Sequence, residues 1–475
     1  MSERKDAIVV GASIGGLVAA AYLARAGHRV LLLEAEEALG GNRSGFGGDA
    51  LYALDPRLVT DLRLRDLKFA VRDMPLVALR PDGRPLVLGR DMRAASRAIA
   101  VYSPRDAETY RKLRSEVLAL ARAMRPFWWD GADAPLPSNA SQNLLLARTA
   151  ATSAMSFLSA FESDAVKTAL AFDAGVPFEP GSALALVWRA AQEMCGLQGT
   201  VATPRGGLGA LIDALAAAAQ KAGVEIRTNA RVSRFLLDGD AVSGVALESG
   251  ETIASRTILS CLPRRATLLD FVPVARAGFA ETQRLMRSVP RTGEASILFL
   301  LNAAPEFGGT HAPQTARFVV VDRSDSYVAA STAVREGQLP DDLLLEVTVP
   351  TAADPSMAPH GQHIVSVRIP ALPLAPSDGW PALTGKLVER VVATLEPHTP
   401  YLRTSIVGVD TRMPLEEEPV SNARLMAPYA ARVATPIAGL FLCGSSAEPM
   451  NAISGRAGRH AAAMAKAFLA REKRA

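Results

Sequence analysis

A cluster of glycines near the start of the chain has the residue types and spacing of a phosphate-binding turn. Gly11, Ser13 and Gly16 occupy the three glycine positions of the pattern G-x-G-x-x-G, so that only the middle glycine is replaced. The run DAIVVG before the turn is typical of a buried parallel strand, and residues 13–26 are typical of a helix that stops at Gly27. The amides at the start of such a helix can hold the pyrophosphate of a dinucleotide. The residues predicted to contact it are Gly11, Ser13, Ile14, Gly15 and Gly16.

Ser13 is the residue that departs from this pattern. The middle glycine lets the backbone approach the pyrophosphate, whereas a serine adds a Cβ and a hydroxyl group. The Cβ could push the phosphate away slightly, and the hydroxyl could donate a hydrogen bond to it that contributes about 1.5–3 kcal/mol. We therefore predict a site that is weakened in detail and intact in principle. The alternative is a βαβ unit that binds no ligand.

An acidic residue ends the next predicted strand, RVLLLEA. Glu34 lies 23 residues after Gly11, close to the ~20 residues that separate the turn from the ribose-binding acid in dinucleotide-binding units. A carboxylate there accepts hydrogen bonds from ribose hydroxyls and repels a 2′-phosphate, which favours FAD or NAD over NADP. Glu34 and its neighbour Ala35 complete the first part of the predicted site.

Three stretches of the chain resemble the flavin amine oxidase and phytoene desaturase-like superfamily. The first is ALGGNRSGFGG, in which a glycine pair follows the acid at short range. The resemblance implies that Gly41, Asn42 and Arg43 lie at the second contact with FAD, where the family has an arginine near the diphosphate. Asn42 occupies the place of that arginine and Arg43 follows one residue later, so a solvated surface charge is an equally good interpretation of Arg43.

The second stretch runs from Val201 to Pro263. Its sequence predicts a helix over about 207–222, three alternating strands around 231–237, 241–247 and 251–254, and a buried strand over 257–261. It resembles the middle FAD segment of the family. The resemblance implies that the backbone of Val232 meets the adenine, and the alternative is that Val232 is only a core residue.

The third stretch, LFLCGSSAEPMNAISGRAGRH, lies near the end of the chain. A predicted strand ends at Gly444, a loop follows, and a helix begins at about Ser454, which is the layout of the family's third FAD motif. A helix N-terminus there stabilises negative charge on the reduced flavin. The family's glycine-rich run T-x-P-G-G-G-x-x-G is replaced, and a serine stands where an acid often contacts the ribityl chain. The resemblance implies contacts to the ribityl chain and the flavin ring at Gly444, Ser445, Ala452 and Ile453.

These stretches predict an α/β chain with two kinds of domain. A Rossmann-type FAD-binding domain, discontinuous and carrying a β-meander, is expected to consist of residues 1–64, 191–275 and 405–475. An α+β substrate domain is expected to be inserted in two parts, residues 65–190 and 276–404.

The resemblance implies an FAD-dependent oxidoreductase, because a bound flavin carries out the hydride chemistry itself. Flavin amine oxidases usually place a lysine of the substrate domain near flavin N5, but this chain has no lysine between Lys221 and Lys386. We therefore favour dehydrogenation or desaturation of an apolar small molecule, such as an isoprenoid or lipid-like substrate. The alternatives are a flavin amine oxidase, a flavin-dependent isomerase and a non-catalytic FAD-binding protein with a degenerate site. The sequence assigns no catalytic residue.

Four side chains near these motifs are further candidates for a polar or lining role. We expect Glu448 to be solvated on its loop and His460 to lie on a helix surface. The neighbours Trp128 and Trp129 could line an apolar pocket, although paired aromatic residues more often belong to the core.

Composition limits the partners of the chain. Lys and Arg number 52 and Asp and Glu number 48 in scattered positions, so nucleic-acid binding is not expected. Three cysteines that are far apart in the sequence argue against a disulfide framework or a metal site and suit the cytoplasm. Residues 7–24 carry no charge, but the glycines within them argue against a membrane span. The expected partner is a small, apolar molecule; a peripheral membrane contact and the oligomeric state stay open.

Overall fold

The structure of the chain, a computed structural model, describes residues 5–40, 50–131, 137–175, 177–287, 292–308, 313–321, 323–414 and 425–472. The strands are β1 (Ala7–Val10), β2 (Val30–Leu33), β3 (Phe69–Val71), β4 (Leu76–Leu79), β5 (Leu86–Leu88), β6 (Glu193–Met194), β7 (Leu197–Gln198), β8 (Thr203–Pro204), β9 (Glu225–Arg227), β10 (Val232–Asp238), β11 (Ala241–Leu247), β12 (Thr252–Ala254), β13 (Ile258–Ser260), β14 (Thr292–Leu301), β15 (Arg317–Val320), β16 (Leu345–Thr348), β17 (His363–Pro373), β18 (Ile406–Arg412) and β19 (Leu440–Leu442). The helices are α1 (Ile14–Arg25), α2 (Pro56–Asp61), α3 (Met92–Ala100), α4 (Pro104–Asp130), α5 (Ala140–Ala151), α6 (Ala154–Phe157), α7 (Asp164–Ala171), α8 (Ser182–Ala191), α9 (Gly207–Lys221), α10 (Arg264–Leu269), α11 (Val274–Ala277), α12 (Phe279–Arg287), α13 (Ser324–Arg335), α14 (Pro350–Ala353), α15 (Trp380–Leu395), α16 (Leu402–Ser405), α17 (Tyr429–Val433) and α18 (Arg456–Glu472).

Five parallel strands form the sheet that carries the predicted dinucleotide site. Their order is β19-β13-β1-β2-β9, so the chain order reverses between β1 and β13. The runs AIVV in β1 and VLLL in β2 are wholly buried, as expected for strands covered on both faces. Ligands of such sheets bind beyond the carboxyl ends of the strands at this reversal.

Helix α1 connects β1 to β2 and ends where the sequence predicts. Gly27 has a φ of +88°, and its N–H donates to the backbone oxygen of Ala24, while the N–H of His28 donates to that of Leu23. Glycine is favoured at this position because it adopts the left-handed conformation without a steric penalty.

A smaller sheet of three antiparallel strands, β10-β11-β12, is the predicted β-meander. Its two turns contain Gly239 and Gly250 at φ of +60° and +89°, as the sequence signals Asp-Gly and Ser-Gly predict. Strand β11 has the predicted bounds, and its neighbours agree within one residue.

The largest sheet has seven strands in the order β18-β14-β17-β16-β15-β4-β5. Strands β4 and β5 precede the other five by more than two hundred residues, so two distant parts of the chain share one sheet. One face packs against the apolar side of α15 through residues such as Leu387 and Val391. Strand β18 joins this sheet although the predicted domain boundary falls at residue 404. The bounds of the five predicted segments stay predictions.

Two regions differ from the sequence-based expectation. Residues 225–227 form β9 beside β2, where no strand is predicted, because three residues are too few to show a periodic pattern. The Pro-rich segment 350–363, whose composition is typical of a loop, contains α14 and the 3-10 turn Pro355–Met357, since proline favours the first position of a helical turn.

The α/β fold class with a parallel sheet is confirmed. Within the part of the chain that the structure describes, no helix combines the length and the apolar character needed to cross a membrane.

Candidate functional site

The turn after β1 requires the two glycines that the chain retains. Gly11 has a φ of +97°, and a Cβ added there would lie 2.9 Å from the Cβ of Cys261. A Cβ at Gly16 would lie 2.2 Å from the backbone oxygen of Gly11. Both positions therefore exclude a side chain, Gly11 through its backbone conformation and Gly16 through close packing.

Ser13 caps helix α1. Its backbone is extended, with φ −64° and ψ 167°, and its Oγ accepts a hydrogen bond from the N–H of Gly16 at 3.4 Å. An N-cap satisfies one of the amides that the start of a helix leaves without a partner. The replacement of the middle glycine thus adds a cap to the turn, and the hydroxyl keeps a proton that it can donate to a phosphate.

Glu34 lies directly after β2 and is 5% exposed. Its Oε2 accepts a hydrogen bond from the N–H of Ala12 at 2.7 Å, and its Oε1 accepts one from the N–H of Glu36 at 3.0 Å. The first bond ties the carboxylate to the glycine turn. Because a carboxylate has about four lone-pair positions, roughly two remain for a ligand such as a ribose diol.

The beginning of β10 lies beside Glu34. The N–H of Ala230 donates to the backbone oxygen of Glu34 at 2.8 Å. Val232, the first residue of β10, is buried, and Ala35 is half-buried. The structure therefore brings these predicted residues to the same end of the sheet. Three other predicted contacts lie outside the described residues: Gly41, Asn42 and Arg43.

The end of β19 meets the end of β13 on the other side of the turn. A Cβ at Gly444 would lie 2.2 Å from the backbone oxygen of Cys261, so this position also requires glycine. The Sγ atoms of Cys261 and Cys443 are 3.4 Å apart in spite of their distance in the sequence, and both thiols are free. Burial raises the pKa of the Cys443 thiol well above its ordinary value, which keeps it protonated.

The loop after Gly444 consists of two 3-10 turns, Ser445–Ala447 and Pro449–Asn451. The three remaining predicted contact residues differ in exposure: Ser445 is exposed, Ala452 is buried, and Ile453 is half-buried.

The backbone of this loop is left-handed at two residues that are not glycine. Met450 and Asn451 have φ of +55° and +49°, a region that residues with a Cβ rarely adopt. Each residue held there costs on the order of 1–3 kcal/mol, and such strain persists only where the surroundings fix the conformation. The loop therefore keeps a glycine-like path without the glycines.

Glu448 fixes this loop, and the expectation that it is solvated is wrong. It is 4% exposed, and its carboxylate accepts hydrogen bonds from the hydroxyl of Tyr429 and the N–H of Ala457, both at 2.7 Å. The loop folds back onto α17 and onto the first turn of α18, where a negative charge is favoured by the helix dipole. Burial and the Glu448 carboxylate raise the pKa of Tyr429, so the phenol stays protonated.

His460 is half-buried on α18, with more contacts than an ordinary helix-surface residue. Its ring stacks on Tyr429 with centroids 4.5 Å apart, and its Nε2 lies 3.2 Å from the backbone oxygen of Trp129. Burial, together with the charge of Arg459, lowers the pKa of His460 to about 4. The ring is therefore neutral at pH 7 and serves as packing and as a hydrogen-bond donor to Trp129.

A buried cluster around Asp55 was not predicted. Its fully buried carboxylate lies 3.1 Å from Arg57, 3.2 Å from Arg459 and 3.8 Å from Arg456. Burial would raise the pKa of Asp55, but the three guanidinium groups hold it below its ordinary value. The N–H of Asp55 donates to Ser454 at 2.9 Å, so the cluster holds the start of α18 against α2. The only sequence signals are the helix start Asp-Pro and the Arg-x-x-Arg spacing.

The two tryptophans have different surroundings. Trp128 is a core residue whose Nε1 donates to the backbone oxygen of Leu425 at 2.8 Å. The ring of Trp129 has guanidinium groups over it, that of Arg125 at 4.7 Å and that of Arg456 at 4.5 Å. Trp128 therefore does not line a pocket, and Trp129 belongs to the polar cluster at the start of α18.

These residues fit a dinucleotide that lies across the reversal of strand order. The glycine turn leaves no side chain at Gly11 or Gly16, helix α1 begins there, and Glu34 has acceptor positions left beside it. The loop between Gly444 and α18 begins at the carboxyl end of β19, on the same side of the sheet as the glycine turn after β1. The arrangement offers amide and hydroxyl donors at the start of α1, a carboxylate acceptor, and a loop held by Glu448.

Comparisons with known proteins agree with this geometry. The family of flavin containing amine oxidoreductases matches residues 14–301. A phytoene dehydrogenase from Streptomyces griseus is 31% identical over 82% of this chain and 78% of its own length. A rat protein named pyridine nucleotide-disulfide oxidoreductase domain-containing protein 2 is 27% identical over 96% of this chain and 92% of its own length. The solved structure of an oxidoreductase from Methanosarcina mazei superposes with a TM-score of 0.62 at 16% identity, covering 97% of this chain and 99% of the other, which shows the shared fold.

The family match spans more than half of the chain and includes helix α1, Glu34 and the β-meander. The chain belongs to the family of flavin containing amine oxidoreductases and is a flavin-dependent oxidoreductase.

Proposed function

We propose that the flavin is FAD and that the enzyme dehydrogenates or desaturates an apolar small molecule, such as an isoprenoid or lipid-like substrate. The observation that carries the FAD assignment is the Glu34 carboxylate, hydrogen-bonded to the glycine turn at the reversal of strand order. A carboxylate there suits an adenosine ribose, which FAD has and FMN lacks.

We assign each residue the role that its position supports. Ser13 and the first amides of α1 bind the pyrophosphate, Glu34 binds the ribose, and the backbone at Val232 meets the adenine. Residues 444–453 face the ribityl chain and the flavin ring, with Glu448 holding the loop in place. When bound, FAD supplies hydride acceptance, while the protein orients both molecules and excludes water.

Desaturation is supported by a long stretch of the sequence that lacks lysine, the residue that flavin amine oxidases usually place near flavin N5. No lysine occurs between Lys221 and Lys386, and Lys386 itself is exposed on α15. The relative from Streptomyces griseus is a phytoene dehydrogenase by name, which favours removal of hydrogen from adjacent carbon atoms. We propose a cytoplasmic enzyme with a small, apolar substrate, without a nucleic-acid partner and with at most a peripheral membrane contact.

Amine oxidation is the second candidate, because the matching family takes its name from that reaction. It differs in the bond that is oxidised, carbon–nitrogen instead of carbon–carbon, and in its products, an imine that hydrolyses to an aldehyde.

The test is anaerobic mixing of the FAD-loaded enzyme with phytoene in detergent micelles and, separately, with a primary diamine. We expect phytoene, or a shorter isoprenoid, to bleach the visible flavin absorbance and to gain a carbon–carbon double bond, as read by mass spectrometry. The diamine should leave the flavin oxidised. Bleaching by the diamine with release of aldehyde, and none by the isoprenoids, would contradict desaturation.

A further inference from the structure

Two cysteines lie side by side against the glycine turn. Cys261 directly follows β13 and Cys443 directly follows β19, and these parallel strands pair Ser260 with Leu442, so the two cysteines are neighbours across the sheet. Their Sγ atoms are 3.4 Å apart. Neighbouring strands lie about 4.8 Å apart, and disulfides join residues whose Cα atoms are about 4.4–6.8 Å apart. The two strand ends therefore have the spacing that a disulfide bond needs.

The side chain of Cys261 is part of the packing of the glycine turn. Its Sγ donates a hydrogen bond to the backbone oxygen of Gly11 at 3.1 Å. A Cβ built at Gly16 would lie 2.5 Å from the same Sγ, so the sulfur fills the space beside this glycine. A disulfide sulfur carries no hydrogen and cannot donate to Gly11. A bond between Cys261 and Cys443 therefore removes one support of the turn, and it requires the two sulfurs to approach to about 2.0 Å.

The two thiols differ in access. Cys443 is fully buried, and burial raises the pKa of its thiol well above the ordinary value. Cys261 is half-buried, so a molecule as small as hydrogen peroxide reaches this thiol first. A more accessible thiol with a second thiol beside it is the arrangement in which a first oxidation product is resolved to a disulfide.

We propose that Cys261 and Cys443 are a site of reversible oxidation by hydrogen peroxide, and that the disulfide formed there weakens binding at the glycine turn. The Cys261 sulfur attacks one peroxide oxygen and the O–O bond breaks, which gives a sulfenic acid and one water. The Cys443 sulfur then attacks the sulfenic sulfur, the S–O bond breaks, and the hydroxyl leaves as water with the proton of Cys443. Two thiols and one peroxide become one disulfide and two waters, so the sulfurs lose the two electrons that the peroxide gains. The effect on FAD rests on the proposed function, whereas the disulfide itself does not.

The first measurement is the mass of the FAD-free protein after treatment with hydrogen peroxide. We expect the loss of two hydrogen atoms. Alkylation of the remaining thiols with iodoacetamide and digestion should then yield a cross-linked pair of peptides that contain Cys261 and Cys443. Cys195, the third free cysteine, is also half-buried and should appear in no cross-link. Dithiothreitol should remove the cross-link.

Two variants test the roles of the two thiols. Cys443→Ala lacks the second thiol, so peroxide should add oxygen to Cys261 and form no cross-link. Cys261→Ser keeps an O–H that can donate to the backbone oxygen of Gly11 but has no sulfur to oxidise. The matched control is Cys195→Ser, which removes a half-buried cysteine outside the pair and should form the same cross-link as the wild type.

The second measurement is the Kd for FAD before and after peroxide treatment. We expect treatment to raise the Kd of the wild type and of Cys195→Ser on the order of threefold to tenfold, which is what the loss of one hydrogen bond between uncharged groups corresponds to. Dithiothreitol should reverse the change, and the Kd of Cys261→Ser should not respond to peroxide. By linkage, saturating FAD should disfavour the disulfide in a glutathione redox buffer by the same factor.

The outcomes separate this inference from the proposed function. A treated protein without the cross-link between Cys261 and Cys443 would overturn the inference, and so would a cross-linked protein whose Kd for FAD equals that of the reduced one. A response of Cys261→Ser as large as that of the wild type would also overturn it, because the change in affinity would then come from another residue. A reduced protein that takes up no FAD would overturn the proposed function and the effect on binding with it, while the mass still decides whether the disulfide forms.

Discussion

Replacing Glu34 with alanine is expected to lower the affinity for FAD on the order of a hundredfold. The carboxylate lies at the end of β2 with about two acceptor positions left for the ribose hydroxyls. A hydrogen bond to a charged group contributes about 1.5–3 kcal/mol, and a loss of about 3 kcal/mol corresponds to two factors of ten. The measurement is a titration of the FAD-free protein with FAD, followed by flavin fluorescence or calorimetry.

Two further variants separate ribose binding from folding. Glu34→Gln keeps an oxygen that can accept from the N–H of Ala12, so it should fold like the wild type and still bind FAD more weakly. Glu36→Ala removes a carboxylate that is two residues away, exposed and paired with Arg231, and its FAD affinity should be unchanged. An unaltered affinity in Glu34→Ala would remove the assignment of Glu34 to the ribose.

The variant Gly458→Ala is expected to lose several kcal/mol of stability. Gly458 lies where α18 crosses α1, and a Cβ there would lie 2.2 Å from the backbone oxygen of Gly15 and 3.2 Å from the nitrogen of Ala19. These are backbone atoms of a helix and cannot turn away as a side chain can. Inserting a methyl group into a well-packed core typically costs about 1–3 kcal/mol, and a contact with rigid backbone lies at or above the upper end of that range. Urea unfolding measures the loss.

The matched control for this variant is Gly385→Ala. Gly385 also lies inside a helix, α15, but a Cβ there would meet no atom within 4 Å. Alanine is favoured over glycine in a helix interior, so this variant should be more stable by about 0.5–1 kcal/mol. If Gly458→Ala gained stability in the same way, α1 and α18 would not cross as closely as the structure places them.

The local elements of the nucleotide-binding unit could be predicted from the sequence. The strand AIVV, the helix stop at Gly27 and the strand VLLL are set by short-range patterns, and they form where those patterns indicate. The requirement for Gly11 follows from the same kind of signal, because a tight turn fixes the sign of φ at one residue.

The residues that support the loop after Gly444 could not be predicted in this way. Glu448 is buried because it meets Tyr429 and the start of α18, and Asp55 is buried because it meets arginines about four hundred residues away. Such pairs depend on where distant segments pack, and a single sequence has no periodic signal for them. The contact between Cys261 and Cys443 has the same cause, since adjacent parallel strands need not be neighbours in the sequence.

The most direct test of the account is the visible absorption spectrum of the purified protein, before and after denaturation releases any ligand. We expect a yellow protein, or a colourless one that turns yellow when FAD is added, with the released flavin identified as FAD by chromatography. A colourless protein that takes up no FAD, although it is folded by circular dichroism, would contradict the central claim that the turn with Ser13 still binds the dinucleotide.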